Sequence, residues 1–400
     1  MTTYTAHNVN RKNKLIAITY PLRMHGFYNS FLTHPPSGYR FIKLDTISSH
    51  NLRNSIAKFA VLKNYGIPVK IMASLHQFPI HRLLKKRIDL AYLCGIISFS
   101  GVPYITDVEE SVSSWLGAVW DVKWLHPLIE TMLSSSSCKK IICWNKATFN
   151  SIVQTYNARS FMKKIAIVPP AVPVTKAIVH RLNKDVVNLL FLGSANISPE
   201  GSFFYKGGHI AVAAYLRLRK RYNNIRLILR SVVPRVLRSK LSRIKDIEII
   251  DSILPKQRLD MLLWNSDIMV LPSLPTPWTS FLDGMNHMLP IVTTDTHANS
   301  ELVNSGKSGY VCRTPSELNY VKGTFLVPNR EVLRKISMIW LHDNEDIVND
   351  ICEKLQILIE NPDLRLKMGI EGRKNIEPNG KFSIERRNRK LKKIFDEATS

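Results

Sequence analysis

The chain has 400 residues, of which 45% are hydrophobic and 22% are charged, a balance that excludes extensive disorder. Its length exceeds what one hydrophobic core usually supports and favours two domains. The formal net charge is +25, and residues 1–180 carry 22 basic and 7 acidic side chains against 34 and 24 in residues 181–400. Because self-repulsion of this size costs stability, the excess charge indicates an anionic partner: nucleic acid, an anionic membrane surface or a phosphorylated substrate.

The cysteines and the apolar runs argue against a disulfide-bonded, secreted or membrane-spanning protein. The five cysteines are odd in number and scattered, as expected of free thiols in a reducing compartment, and no pair has metal-binding spacing. The sequence up to Lys14 is polar and basic and lacks the apolar core of a signal peptide. The most apolar run, Leu90–Ile105, is broken by glycine, serine and proline, so we predict a buried helix followed by a strand rather than a membrane span. We therefore expect a cytoplasmic protein.

Short apolar runs in the first 180 residues predict the strands of a parallel sheet. The first strand is Lys14–Tyr20, and the loop after it contains Gly26. In a doubly wound sheet this loop faces the ligand crevice. A further predicted strand, Val69–Ala73, is followed by His76, which places this histidine near the crevice mouth; a structural role is the alternative.

Two carboxylates follow the predicted strand Val102–Thr106. Either Asp107 or Glu109 could stay ionised in a cleft and stabilise positive charge there. The alternative is that they cap a helix that starts near Ser111. Further along, the strand Ile165–Val168 runs into a proline-rich segment without a helix, which is typical of a hinge.

The second half begins with a central-type strand, Val186–Gly193, followed by Ser194. The turn Lys206-Gly207 then leads into a helix that begins near His209. A lysine beside glycine backbone at a helix N-terminus suits a diphosphate, and an exposed lysine in a turn is the alternative. Strands and helices alternate from here onwards, which requires parallel strands joined by right-handed crossovers.

The segment from Trp264 to Val311 contains two buried-type strands, Asp267–Leu271 and Pro290–Thr293. Between them we predict a loop and a short helix from about Ser280 to Met288, with Asp283 in its first turn. The backbone N–H groups and positive dipole of such a helix end suit a phosphate, and these N–H groups belong to Ser280, Phe281 and Leu282. A carboxylate slightly further along suits sugar or ribose hydroxyls.

These motifs together resemble the retaining GT-B glycosyltransferases of family 4. Family members have a strand ending in Pro-Ser, two glutamates separated by seven residues, and a second strand. Here Pro272-Ser273 and Asp283-Gly284-Met285 stand at matching positions, with Asp283 in place of the second glutamate and Pro275 in place of the first. The Gly193 and Lys206-Gly207 motifs also match, although Ser194 replaces the usual arginine, and the C-terminal sequence resembles the family's last helices.

The resemblance implies a GT-B fold, an α/β architecture with two Rossmann-like doubly wound domains facing a central cleft. Residues 1–178 would form the acceptor domain and residues 179–378 the nucleotide-sugar donor domain. Residues 379–400 would form a C-terminal helix that crosses back to the first domain.

The resemblance also implies the transfer of a sugar, with retained configuration, from a nucleotide diphosphate sugar to a glycan, lipid-linked or other acceptor. No metal or other cofactor is expected, because helix dipoles and basic side chains neutralise the leaving diphosphate. Lys206 would bind the diphosphate, Arg230 could substitute for the missing arginine, and Asp283 would bind the ribose or the sugar. Asp107 would flank the anomeric centre.

On the acceptor side, the resemblance assigns Gly26, the remnant of a glycine-rich turn, and we add His76 and Glu109.

Other functions stay open on the sequence alone. A catalytically impaired GT-B protein acting as a partner subunit would explain Pro275 and Ser194. A nucleotide-sugar epimerase uses the same architecture. A basic nucleic-acid-binding protein would explain the charge, yet no zinc module, RRM signature or aromatic-basic repeat occurs. A basic first domain fits better with peripheral contact on an anionic membrane.

Overall fold

The computed structural model describes residues 13–19, 26–44, 88–98, 101–109, 123–176, 185–193, 201–321 and 330–400. The strand expected at Val69–Ala73, the helix expected near Ser111, the domain boundary near residue 178, and both His76 and Ser194 lie outside these ranges. The described strands form two separate, fully parallel six-stranded sheets.

The first sheet has the strand order 2-1-3-4-5-6. Its strands are β1 (Lys14–Thr19), β2 (Tyr39–Leu44), β3 (Leu90–Cys94), β4 (Tyr104–Val108), β5 (Cys138–Cys143) and β6 (Ile165–Ile167). The order reverses between β1 and β3, where Ile16 lies opposite Leu90. Parallel strands that are buried on both faces have continuous apolar sequences. Strand β3 is an example, because all five of its residues are buried.

The second sheet places its first strand at the centre. Its strands are β7 (Val187–Leu192), β8 (Ile225–Arg230), β9 (Ile247–Ile250), β10 (Ile268–Val270), β11 (Ile291–Thr294) and β12 (Gly309–Cys312). They are arranged in the order β12-β11-β10-β7-β8-β9, which is the order of a classic dinucleotide-binding sheet. The order reverses between β7 and β10, where Leu190 lies opposite Met269.

Helices connect these strands and cover the sheets. Those described are α1 (Asn29–Thr33), α2 (His126–Ser134), α3 (Lys146–Thr155), α4 (Gly201–Tyr205), α5 (Gly208–Leu218), α6 (Arg235–Leu241), α7 (Lys256–Trp264), α8 (Trp278–Asn286), α9 (Asn299–Leu302), α10 (Arg330–Leu341), α11 (Glu345–Glu360), α12 (Pro362–Lys374) and α13 (Ile384–Thr399). Short 3₁₀ turns lie at Gly26–Tyr28, Lys123–Leu125, Ala158–Ser160, Met162–Lys164 and Ser316–Val321.

Helix α13 packs on the first sheet although it follows the second sheet in the chain. Ser383 caps its start by accepting a hydrogen bond from the backbone N–H of Arg386. The buried positions of the helix recur at the three- and four-residue spacing of one helix face. The ring of Phe395 is fully buried, and its centroid lies 5.2 Å from that of Tyr39 and 5.9 Å from that of Phe41. The C-terminal helix therefore crosses back to the first domain, as expected.

A buried arginine of α13 fixes its contact with α1 and with the residue that follows α1. Arg387 is 4% exposed and donates hydrogen bonds to the hydroxyl of Ser30 and to the backbone carbonyl of His34. Its guanidinium lies 4.6 Å from the centroid of the Phe31 ring, close enough for a cation–π contact. Burial lowers the pKa of Arg387 to about 10.

Contacts between the two halves are made by polar groups at helix ends. The carboxylate of Glu301, in α9, accepts the backbone N–H groups of Lys146 and Ala147 at the start of α3, each at 2.9 Å. Arg373, in α12, donates to the backbone carbonyl of Thr175 at 2.6 Å, close to the proline-rich segment. These contacts hold the second sheet against the end of the first one.

One predicted element is wrong. Leu90–Cys94 is a strand, β3, whereas the apolar run was expected to begin as a helix. A five-residue run that is buried on both faces has neither helical nor strand periodicity, so its pattern does not distinguish the two.

Candidate functional site

The candidate donor site lies at the carboxyl ends of β7 and β10. In open α/β sheets, ligands bind outside the carboxyl ends of the strands at the point where the strand order reverses. In the second sheet that point is between β7 and β10. Gly193 directly follows β7, and Pro272-Ser273 closely follows β10. The fold therefore brings the two predicted motifs to one edge of the sheet.

The Lys206-Gly207 turn and the Pro272-Ser273 strand end fit directly against each other. Gly207 has φ 74°, and a Cβ atom there would lie 1.8 Å from the backbone oxygen of Pro272. The backbone N–H of Leu274 donates to the carbonyl of Tyr205 at 3.1 Å. Only glycine fits this left-handed, closely packed position, which places the half-buried Lys206 beside the strand end.

Gly193, Arg230 and Ser280 also converge at this edge. A Cβ atom at Gly193 would lie 2.5 Å from the hydroxyl of Ser231. Arg230, which is 8% exposed, donates to the carbonyl of Gly193 at 3.4 Å. The hydroxyl of Ser280 donates to the carbonyl of Leu192 at 3.0 Å, which fixes the start of α8 against the end of β7. A guanidinium thus lies beside Gly193, the residue that precedes Ser194 in the sequence.

The start of α8 differs from the prediction. The helix begins at Trp278, directly after Pro277, and its first turn carries no acidic residue. The backbone N–H of Phe281 donates to the carbonyl of Pro277, and Leu282 lies one residue further into the helix. Because only the first N–H groups of a helix lack an internal partner, those of Phe281 and Leu282 are not available to a phosphate. An anion at this helix end would meet the N–H groups of Thr279 and Ser280 instead.

Asp283 lies in the second turn of α8 rather than the first. Burial raises the pKa of its carboxyl to about 7; Lys256 and Arg230 act in the opposite direction, and Asp260 raises the pKa further. Asp260 is itself paired with Lys256 at 2.6 Å. Asp283 and Arg230 therefore act on each other electrostatically.

Asp107 belongs to the first sheet and is buried, with 1% of its surface exposed. It lies within β4, whereas the strand was expected to end just before it. Its carboxylate accepts four hydrogen bonds, from the hydroxyls of Tyr28 and Tyr92, the backbone N–H of Gly95 and the indole N–H of Trp144. Burial raises its pKa to about 6, and these hydrogen bonds act against the rise.

The surroundings of Asp107 are largely closed. A cavity of about 10 Å³ lies beside it, which is the space that one water molecule requires. Both carboxylate oxygens are occupied by protein donors at 2.6–3.3 Å. The role of Asp107 at the anomeric centre stays a prediction.

Two of the predicted acceptor residues, Gly26 and Glu109, lie near the same end of the first sheet. Gly26 begins the 3₁₀ turn Gly26–Tyr28, and the Phe27 ring of that turn packs edge-on against Trp144 at 4.4 Å. Glu109 follows β4 directly, and its backbone carbonyl accepts a hydrogen bond from Thr148. Their contact with an acceptor stays a prediction, as does that of His76.

Sequence reasoning missed a cavity of about 140 Å³ between the two halves. It is lined by Trp144, Asn145 and Ile167 of the first half, Trp278 and Glu301 of the second, and Lys381, Phe382, Arg386 and Lys390 at the start of α13. The run of basic residues in α13 was the signal for it that the sequence offered.

The described residues offer neither a cluster of metal ligands nor a membrane-spanning helix. They contain no group of three or more His, Cys, Asp or Glu side chains arranged to hold a metal ion. No helix in the described part of the chain is long and apolar enough to span a bilayer.

The second half of the chain is similar to a known protein family. Residues 188–321 match the family model described as Glycosyl transferases group 1. This range contains the Gly193, Lys206-Gly207, Arg230 and Asp283 positions, and the match confirms the resemblance that these motifs indicated. No curated protein sequence matches the chain.

Several solved structures are similar to nearly the whole chain, and two of them are named as glycosyltransferases. HepE from Anabaena, in complex with UDP, has a TM-score of 0.60 at 11% identity, covering 96% of this chain and 99% of that one. A glycosyltransferase from Rickettsia africae has a TM-score of 0.57 at 14% identity, covering 96% and 98%. WaaG, a glycosyltransferase involved in lipopolysaccharide biosynthesis, has a TM-score of 0.56 at 13% identity, covering 95% and 99%.

Other similar structures are longer than this protein. TarM has a TM-score of 0.53 at 14% identity, and the match covers 78% of this chain but 57% of TarM. At such low identities the likeness shows the fold, and it confirms the two Rossmann-like domains of the GT-B architecture.

Proposed function

We propose that the protein is a retaining glycosyltransferase that moves a sugar from a nucleotide diphosphate sugar to a glycan or lipid-linked acceptor, without a metal ion. The observation that carries this proposal is the convergence of the Lys206-Gly207 turn, Arg230 and the start of α8 at the reversal point of the second sheet. Each of these elements supplies positive charge or N–H donors, and the site between them suits a diphosphate.

In the proposed reaction, the bond between the anomeric carbon and the donor phosphate oxygen breaks, and its electron pair leaves on the diphosphate. Lys206, Arg230 and the helix end at Thr279 and Ser280 stabilise the charge that develops there. The acceptor hydroxyl forms the new bond on the face that the diphosphate leaves and gives its proton to the leaving phosphate oxygen. Because Arg230 lies beside the Gly193 carbonyl, it takes the role of the arginine that Ser194 replaces.

The two carboxylates have different roles in this proposal. Asp283 accepts hydroxyl groups of the donor ribose or sugar while Arg230 and Lys256 favour its ionised form. Asp107 lies in the opposite domain, and its ionised form above about pH 6 stabilises positive charge at the anomeric carbon. The likeness to HepE, which was crystallised with UDP, makes UDP the first nucleotide to test.

The donor site is tested by thermal shift and calorimetry with UDP, GDP, ADP and their sugars on the wild type, Lys206→Ala and Asp283→Ala. A ligand that binds only the folded state adds about 2.7 kcal/mol to the free energy of unfolding at 100 times its Kd. We expect one nucleotide to stabilise the wild type and both variants to lose this stabilisation. Lys220→Ala is the matched control, because Lys220 is an exposed lysine just after α5.

Three results would contradict the proposal. They are stabilisation by no nucleotide, equal stabilisation by all of them, and full stabilisation of both variants. Retention and metal independence need product analysis: the anomeric configuration of the product by NMR, and transfer rates with and without a chelator. An inverted product or a chelator-sensitive rate would overturn that part of the proposal.

A further inference from the structure

The cavity between the two halves combines cations, N–H donors and aromatic rings in a way that the proposed donor site does not use. At about 140 Å³ it far exceeds the ~10–15 Å³ that one water requires, so it has room for a small polar group. Its walls come from the ends of β5 and β6, from the start of α8, from α9 and from α13. A ligand in it would therefore contact both domains at once.

Two buried N–H donors at the cavity wall have no hydrogen-bond partner among the described residues. They are the indole N–H of Trp278 and the side-chain amide of Asn145, in residues that are 3% and 2% exposed. The carbonyl oxygen of Asn145 accepts the backbone N–H of Thr148 as the cap of α3. This cap fixes the amide orientation and leaves its NH₂ group as the donor. Buried donors are rarely left unpaired, so both point to an acceptor that the protein itself does not supply.

Three cations lie at the same cavity: Lys381, Arg386 and Lys390. Within the described residues none of them forms an ion pair with a carboxylate. Lys381 and Lys390 instead donate to the backbone carbonyls of Glu301 and Ile167. All three residues are exposed, yet partial desolvation lowers the pKa of both lysines, the charge of Arg386 lowers it further, and Glu301 raises that of Lys381. Like charges gathered in this way favour an anion between them.

The acidic group of the cavity, Glu301, forms no ion pair with these cations among the described residues, although its charge raises the pKa of Lys381. Each oxygen of Glu301 accepts a backbone N–H at the start of α3, so its charge is stabilised by that helix end. The remaining wall is aromatic. Trp278 meets Trp144 edge-on at 6.1 Å and Phe382 edge-on at 5.8 Å between ring centroids. The apolar rings exclude water from part of the cavity and strengthen electrostatic interactions inside it.

We propose that this cavity binds a phosphate group carried by the acceptor, so that the acceptor is a phosphorylated molecule. A phosphate monoester carries a charge of about −1.5 to −2 and several oxygens that accept hydrogen bonds. It therefore fits three cations and N–H donors on two sides of the cavity better than a carboxylate does. Trp278 is the first residue of α8, the helix that also carries Ser280 and Asp283. The proposal rests on the proposed glycosyltransferase function, because the acceptor phosphate would be anchored at the same helix end as the donor.

The test is titration with inorganic phosphate, by calorimetry and by tryptophan fluorescence, with ionic strength held constant by chloride. We expect the wild type to bind phosphate. The double variant Arg386→Gln, Lys390→Gln should bind about tenfold more weakly or worse, because charge-assisted hydrogen bonds are lost. Trp278→Phe keeps an aromatic side chain but removes the indole N–H together with the five-membered ring, so it should weaken phosphate binding while UDP binding on the same variant checks that the fold is preserved. Lys393→Gln is the matched control, because Lys393 is an exposed lysine of α13 outside the cavity.

UDP binding is measured on the same proteins so that the two proposals can fail separately. If UDP binds to all variants and phosphate to none, the donor site stands and the acceptor phosphate is wrong. If phosphate binds as expected and no nucleotide does, the cavity is an anion site and the glycosyltransferase function fails. Phosphate affinity that is equal in the wild type, the double variant and Trp278→Phe would overturn the assignment to this cavity.

Discussion

Gly207 occupies a position that no other residue fits without movement of the Pro272 backbone. Its φ of 74° is left-handed, and a Cβ atom would approach the Pro272 oxygen to 1.8 Å. A side chain there would force the Lys206 turn away from the strand end and so displace the proposed diphosphate lysine. The conformational and the steric requirement can be separated, because Gly306 has a similar φ of 78° with nothing within 4 Å of its Cβ position.

Gly207→Ala should therefore destabilise the protein more than Gly306→Ala. The left-handed backbone costs alanine about 1–2 kcal/mol at either position. The overlap with Pro272 should add about 1–3 kcal/mol at Gly207 alone. The measurement is the free energy of unfolding of both variants in urea. Equal losses would show that the turn does not press on Pro272.

Asp283 should make the stability of the protein depend on pH. Burial raises its folded-state pKa from 3.8 to about 7. A raised folded-state pKa contributes stability that is fully present below about pH 4 and is lost as the pH rises through 7. The Asp283→Asn variant has no carboxyl group to ionise and so does not lose stability in this range. Its free energy of unfolding minus that of the wild type should therefore increase between pH 5 and pH 8, by on the order of 1–3 kcal/mol.

The measurement is chemical denaturation of both proteins at the two pH values. Asp363→Asn, at an exposed position in the first turn of α12, is the matched control. If the difference between Asp283→Asn and wild type stays constant with pH, the carboxyl group of Asp283 is not held in a buried environment.

At the scale of elements, α13 completes the aromatic core of the first domain. Phe395 is fully buried among Tyr39, Phe41 and Tyr92. Phe395→Ala should lower the free energy of unfolding by about 3–5 kcal/mol, because it removes a buried ring and leaves a cavity. Arg389→Ala, on the exposed face of the same helix, should change it by less than about 0.5 kcal/mol. Similar values for both in urea denaturation would contradict the docking of this helix.

The order of elements could be predicted from the sequence where local chemistry marks them. The strands β7 to β11 are apolar runs bounded by turn residues, and the match of motifs placed Gly193, Lys206-Gly207 and Asp283 on one side of the second sheet. Pro277 was an available start signal for α8, because proline is common at helix starts, yet it was read as part of the loop.

Other parts of the site could not be predicted because they join distant residues. The donors around Asp107 come from Tyr28, Tyr92, Gly95 and Trp144, which no local pattern connects. The cavity beside Trp278 likewise needs both sheets and α13 to be in place. Periodicity describes one element at a time, so contacts across the two domains are found only in the folded protein.

At the scale of the whole molecule, the net charge of +25 and its excess in residues 1–180 stay without a role in the donor site. We propose peripheral contact with an anionic membrane. An exposed apolar pair in the first half, Trp124 at 78% and Leu128 at 53% exposure, could add insertion to the charge attraction.

The membrane proposal predicts sedimentation with vesicles that contain anionic lipid and none with neutral vesicles. Binding should fall steeply as salt rises towards 1 M, where the screening length is about 3 Å. Trp124→Ser should weaken vesicle binding further. A tryptophan such as Trp264 cannot serve as the control, because its ring is buried and its loss would destabilise the fold. Val236→Ser, at an exposed position of the second half, is the matched control. Binding that is indifferent to salt or lipid charge would overturn the proposal.

The position of α13 also has a consequence for how the protein is made. About 220 residues separate Thr175 from Phe395 in the chain. At a synthesis rate of about 5–20 residues per second, the first sheet leaves the ribosome roughly 10–40 s before the helix that covers it. During this interval Tyr39, Phe41 and Tyr92 lack the ring that buries them, so the nascent first domain exposes an aromatic surface that suits a chaperone.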